Sequence, residues 1–106
     1  MKDIPDGLLD DVVKRLVDGL HPEKIILFGS HAYGVPNEDS DIDLLIVIPE
    51  SDEPRYRRAQ KAYGYLWGLK TPVDLIIMTH QEVEQAITVP VSLASKAVRK
   101  GRILYE

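Results

Sequence analysis

Asp41 and Asp43 open an apolar run, "DIDLLIVI" (41–48), and ten residues separate Asp41 from the pair Gly29-Ser30, which closes another, "KIILF" (24–28). A third carboxylate, Asp74, sits inside "TPVDLIIM" (71–78). Charged groups at the mouths of strands fit only for burial are costly unless something compensates them. In a strand, residues i and i+2 project from one face, so Asp41 and Asp43 point together while Ile42 and Leu44 point away. Left unpaired, such carboxylates repel and push some of their pKa values upward. Their natural partner is a hard divalent cation held by oxygen, Mg²⁺. Gly29-Ser30 supplies the complementary half: a glycine at a strand end followed by a helix-like turn lets backbone N–H groups approach an anion, and Ser30 adds a hydroxyl. Carboxylates that bind metal, set opposite a turn that binds phosphate, suit phosphoryl or nucleotidyl transfer. Two ions roughly 3.5–4 Å apart would clamp the attacking and leaving oxygens. Asp41 and Asp43 would bridge both ions, and Asp74 would hold the ion on the side of the incoming hydroxyl and take its proton.

The surrounding elements must bring these residues together. Residues 6–20 carry Leu8, Leu9, Val12, Val13, Leu16 and Leu20 as one apolar helical stripe. Strands follow at 24–28 and 41–48, the second stopped by Pro49. The pattern turns helical from Ser51 to Leu69, with Ser51 or Asp52 as cap and Ala59, Ala62, Tyr63 and Leu66 on one face. The third strand is 71–78. Thr79 then caps a short helix with Glu82 in capping-box position. "VSLASKAVRK" (91–100) reads as a last helix ended by Gly101, and "RILYE" as a closing strand or a tail. The 12 residues between Phe28 and Asp41 are too few for a comfortable parallel crossover, so the first two strands are expected to be antiparallel. The 23 residues between Ile48 and Pro72 hold a helix and suit a right-handed parallel crossover. Those directions bring Gly29-Ser30, Asp41, Asp43 and Asp74 to one end of a small mixed sheet. The fold class is α/β, with helices packed around the sheet and residues 1–106 forming one domain.

Composition narrows the company such a site keeps. The 106 residues are 44% hydrophobic and 28% charged, as in an ordinary globular chain. Cysteine is absent, which removes disulfides and thiolate metal sites. The net charge of -4 weighs against broad nucleic-acid binding, and no apolar run nears the roughly 20 residues of a membrane helix. No signal-peptide core is visible at the N-terminus, and a cytoplasmic protein is expected.

Gly29-Ser30, ten residues and Asp41-x-Asp43, with Asp74 as third acid, resemble the signature of the DNA-polymerase-β-like nucleotidyltransferase superfamily. In so short a chain the likeness is to the minimal nucleotidyltransferases of prokaryotes, and it extends from the first helix to "GRILYE". The resemblance implies that Gly29 and Ser30 contact a triphosphate, and that Asp41, Asp43 and Asp74 carry the divalent metals. It also implies a partner. Many members are antitoxins of HEPN-domain toxins, commonly ribonucleases, and some transfer AMP from ATP to a tyrosine of the toxin. Relatives often carry basic residues near the positions of His31 and Tyr33, where this run is Gly-Ser-His-Ala-Tyr-Gly.

Other residues admit two readings. Ser40 could orient Asp41 or bind nucleotide, or be an ordinary loop serine. His31 could touch a phosphate or be an exposed loop histidine. Arg55, Arg57, Arg58 and Lys61 form a basic cluster that is read first as a solvated helix face, and otherwise as a surface for an acidic partner. Tyr56, Tyr63, Tyr65 and Trp67 exceed what one core face holds; Tyr63 is assigned to the core, and an exposed aromatic pair would mark an interface. Tyr105 could receive a nucleotide or be a plain tail residue. The leading expectation is a Mg²⁺-dependent enzyme using ATP, with a hydroxyl on a partner protein as acceptor. The alternatives are transfer to RNA or a small molecule, and a binding module that neutralises its partner by docking. Homo-oligomerisation is left open.

Overall fold

The computed structural model describes residues 2–106. Helix α1 (Leu8–Leu20) leads into β1 (Lys24–Phe28), a one-turn helix α2 (Ser30–Tyr33) and β2 (Ile42–Ile48). The crossover helix α3 (Arg55–Tyr65) precedes β3 (Val73–Thr79), then α4 (His80–Ala86), α5 (Leu93–Lys100) and β4 (Arg102–Tyr105). The strands form one sheet in the order β3-β2-β1-β4. β1 and β2 are antiparallel, with Phe28 opposite Asp43. β2 and β3 are parallel, in register from Ile42 beside Val73 to Ile48 beside Thr79. Both directions match those inferred from connection lengths. "RILYE" resolves as a strand: β4 pairs antiparallel with β1 at the far side of the sheet, with a register shift between Ile25 and Ile26.

Alternation divides the sheet into two buried faces. Ile25, Leu27, Ile42, Leu44, Ile46, Val73, Leu75 and Ile77 pack with Val12 and Leu16 of α1 and Ala62 of α3. Ile26, Phe28, Leu45, Val47 and Met78 pack with Ala94 and Ala97 of α5. Leu16, Ile25, Leu27, Leu44 and Ile46 are fully buried, and each such side chain contributes about 1.5–3 kcal/mol. By the same parity Asp43 shares a face with Leu45 and Val47, and Asp74 shares that face with Ile76 and Met78. No helix among the described residues is long and apolar enough to cross a membrane.

The capping box forms as the spacing predicts. Glu82 N–H donates to Thr79 Oγ1 (3.1 Å), and Thr79 N–H donates to Glu82 Oε1 (2.8 Å). α3 departs from expectation in three ways. It starts at Arg55 behind Pro54 as N-cap, while Ser51 Oγ accepts the Glu53 N–H in the preceding turn. Arg58, assigned to a solvated face, is only 8% exposed: its Nε donates to the Glu53 carbonyl (2.9 Å) and its Nη1 to Glu82 Oε1 (2.6 Å). Tyr63, assigned to the core, is 44% exposed. β3 is an edge strand, and α3 covers its outward backbone groups: Leu75 N–H donates to Tyr63 Oη (2.9 Å), and Arg58 Nη1 reaches the Ile77 carbonyl (3.4 Å). A backbone group left bare at a partly buried edge would cost about 1–3 kcal/mol, which is what draws these two side chains off their expected faces.

Candidate active site

The end of β1, the start of β2 and the start of β3 lie side by side. Gly29 follows Phe28 with φ +77 and ψ -158, a backbone state open to glycine and strained for other residues. A Cβ at Gly29 would run into Asp43 Oδ2. The glycine therefore clears the space its neighbour's carboxylate occupies. The chain then closes one helical turn, with Tyr33 N–H on the Gly29 carbonyl (3.1 Å) and Gly34 N–H on the Ser30 carbonyl (3.2 Å). Ser30 opens that turn, where the first N–H groups have no intrahelical acceptor.

Asp43 and Asp74 are register partners on adjacent parallel strands. Partial burial pushes the Asp43 carboxyl above its ordinary range. The charge of Asp74, hydrogen bonding with Asp74 and the charge of Asp41 push it further, and His31 offsets part of this. Asp41 and Asp43 are half-buried, whereas Asp74 is exposed. His31, on α2, holds its Nε2 buried without a hydrogen-bond partner among the described residues. Ser40 serves the turn before Asp41: its Oγ accepts the Asn37 N–H (2.9 Å), and its own N–H donates to the Asn37 carbonyl (3.1 Å). Gly29, Ser30, His31, Ser40, Asp41, Asp43 and Asp74 thus lie at this end of the sheet or in the loop leading to it, whereas Tyr105 sits in β4 opposite Ile25.

The donor set fits a hard divalent cation. It consists of carboxylate oxygens, its charges repel one another, and glycine replaces any side chain that would crowd Asp43. Asp43 and Asp74 form the close pair, with Asp41 beside them. Among the described residues, no three acidic or histidine side chains already enclose a single point.

Two features were not readable along the chain. A cleft of about 330 Å³, lined by Tyr63, Leu66, Trp67, Leu69, Pro72 and Val73, opens one residue from Asp74, and Trp67 at its rim is 86% exposed. The excess of aromatics on the crossover segment was the only hint of it. The second is Lys96 of α5, whose Nζ stands 5.2 Å from the centre of the Tyr33 ring. Its signal in the sequence was indirect, namely the lack of arginine and lysine in the turn itself.

The chain is similar to known proteins over most of its length. Residues 8–104 match the family model of a nucleotidyltransferase domain. Over 66 residues the chain is 39% identical to a candidate protein adenylyltransferase of Methanocaldococcus jannaschii; the match covers 59% of this chain and 64% of that relative, just under two thirds of its length. A candidate nucleotidyltransferase from Sulfolobus solfataricus shares the fold at a TM-score of 0.59 and 24% identity, over 73% of this chain and 69% of that one. A chain of a toxin–antitoxin structure with AMP-PNP superposes at a TM-score of 0.63 and 28% identity, over 92% of this chain and 73% of its own. By a match along nearly its whole length, residues 8–104, and by its fold, the chain belongs to the nucleotidyltransferase domain family.

Proposed function

We propose that this chain is a Mg²⁺-dependent protein adenylyltransferase that moves AMP from ATP to a hydroxyl, a tyrosine's, on a HEPN-domain toxin and so acts as its antitoxin. The observation that carries this reading is Asp43 beside Asp74, backed by a Gly29 whose missing side chain leaves room for Asp43. The likeness to a toxin–antitoxin structure with AMP-PNP and to a candidate protein adenylyltransferase supports the choice of acceptor and nucleotide.

In this mechanism Gly29 and the start of α2 receive the triphosphate through backbone N–H groups, and Ser30 adds its hydroxyl. Asp41, Asp43 and Asp74 would hold Mg²⁺, which supplies Lewis acidity toward the phosphates when bound. The acceptor oxygen forms a bond to the α-phosphorus while the bond from that phosphorus to the bridging oxygen of pyrophosphate breaks. The hydroxyl proton passes to Asp74, the exposed member of the trio. Pyrophosphate departs with the bonding pair. The acceptor reaches Asp74 from solvent, to which that side chain is open.

The run Ser30-His31-Ala32-Tyr33, with no arginine or lysine, supports a second reading: a module that neutralises its partner by docking alone. The experiment is transfer of label from α-labelled ATP, with Mg²⁺, to proteins of the host lysate, set against Asp43→Asn. Label on one protein band that vanishes with the variant supports the enzyme. A toxin neutralised equally by wild type and variant, with no label, supports docking.

A further inference from the structure

A triphosphate brings several negative charges to a turn that already faces repelling carboxylates and holds no cationic side chain of its own beyond His31. Any cationic side chain beyond what bound metal supplies must come from another element. α5 lies on the face of the sheet that carries Asp43 and Asp74. It ends where Arg102 pairs with Leu27, beside the end of β1 from which Gly29 departs. Lys96 stands on this helix with its ammonium over the ring of Tyr33, one turn beyond Ser30.

Five of the chain's cations meet carboxylates, and Lys96 is not among them. Arg15 pairs with Asp11, Lys24 with Glu106, Arg55 and Arg58 with Glu82, and Lys61 with Glu53. Lys96 is exposed, and its one described contact is an aromatic face. Nor does the dipole of α5 account for it. That interaction is confined to the last turn, where Arg99 and Lys100 stand, and Lys96 is the fourth of eight residues. A ring face orients a lysine stem without neutralising its charge, leaving the ammonium free to meet an anion.

We propose that Lys96, steered by the Tyr33 ring, is the cation that grips the β- and γ-phosphates of the nucleotide at the Gly29–Ser30 turn. The proposal rests on the nucleotidyltransferase reading of the site. It makes Lys96 a positioning residue for the triphosphate, delivered from a distant part of the chain in place of basic residues in the turn. A bound monophosphate does not reach it, so selectivity for triphosphate over monophosphate is the quantity it controls.

The test is calorimetric binding of α,β-methylene-ATP and of AMP, with Mg²⁺, to the whole chain. Lys96→Met is expected to weaken the triphosphate analogue about tenfold, the worth of one charged contact, and to leave AMP within about twofold. Lys96→Arg is expected to restore most of the loss, and Tyr33→Leu to show part of it. Lys14→Met, an exposed lysine on α1, is expected to change neither. Unchanged analogue binding by Lys96→Met, or equal losses for analogue and AMP, overturns the assignment while the enzyme reading stands. Failure of the wild-type chain to bind the analogue overturns both.

Discussion

The two ends of β3 hold charge in opposite ways. At its start Asp74 is pressed against Asp43, with Asp41 adding to the repulsion and the partial positive influence of His31 too small to cancel it. At its finish Arg58 is buried against Glu82, which also closes the capping box on Thr79, and Arg55 adds a longer contact of 3.8 Å. One end leaves like charges unresolved for a ligand to settle; the other satisfies every member from within the chain. The contrast teaches that stability and chemistry have been separated along one strand. Four apolar residues, Leu75 to Met78, keep them apart.

Removing charge from the first end should have the largest effect on activity and the reverse effect on stability. Asp43→Asn is expected to lower label transfer about a hundredfold to a thousandfold, yet to raise the metal-free melting temperature at neutral pH. The sign follows from the raised carboxyl. When the pH climbs past the unfolded value, the unfolded chain gives up its proton first, and the folded chain carries a penalty that is complete above its own higher pKa. Asparagine carries no such penalty. Mg²⁺ should then raise the melting temperature of wild type more than that of the variant, as binding to the folded state alone requires. A variant that melts lower than wild type without metal would break the comparison.

At the other end the same operation should only harm. Arg58→Met leaves Glu82 without its close cation and the Ile77 carbonyl without its donor, at an expected cost of about 2 kcal/mol in denaturant unfolding. The pH profile should change with it. Burial would raise the Glu82 carboxyl, but hydrogen bonds from Arg58 and the Thr79 N–H outweigh that and hold it below the usual range. Its contribution is present above the unfolded value and is lost as pH falls through the folded one, so the variant should lose less stability in acid than wild type. Thr79→Ala removes the cap and is expected to cost about 1 kcal/mol by the same measurement. The smallest effect belongs to His80, whose Nδ1 and Nε2 meet Glu23 (2.9 Å) and Glu84 (2.8 Å) in the open. Those hydrogen bonds raise its pKa. Their stabilisation is full below the ordinary histidine value and fades as pH rises through the folded one. An NMR titration of His80 should show a midpoint that drops in Glu23→Gln.

Most of the first end was legible because its signals are local. The i, i+2 rule put Asp41 and Asp43 on one face, and the 12- and 23-residue connections set the strand directions that place Asp74 beside them. The Thr79–Glu82 box was legible for the same reason. The far end was misjudged at Arg58. Spacing of i, i+3 and i+6 groups Arg55, Arg58 and Lys61 on one side of a helix, but burial of one of them depends on Glu82, 24 residues away and on another element. Tyr63 was misjudged alike, since its value lies in a backbone amide of a strand rather than in an apolar neighbour. Whether "RILYE" was strand or tail turned on β1 having a free side, a property of the sheet and not of those five residues.

The cover that Tyr63 and Arg58 give to β3 has a consequence beyond folding. A seven-residue strand with five apolar members at a sheet's border is a ready template for a second chain, and such templates seed fibrils and swapped dimers. Here a phenol and a guanidinium occupy hydrogen-bonding positions an incoming strand would need. On the proposed reading, a protein acceptor reaching Asp74 would therefore come as a shaped surface and leave as one. Such an acceptor could then turn over without being woven into the sheet.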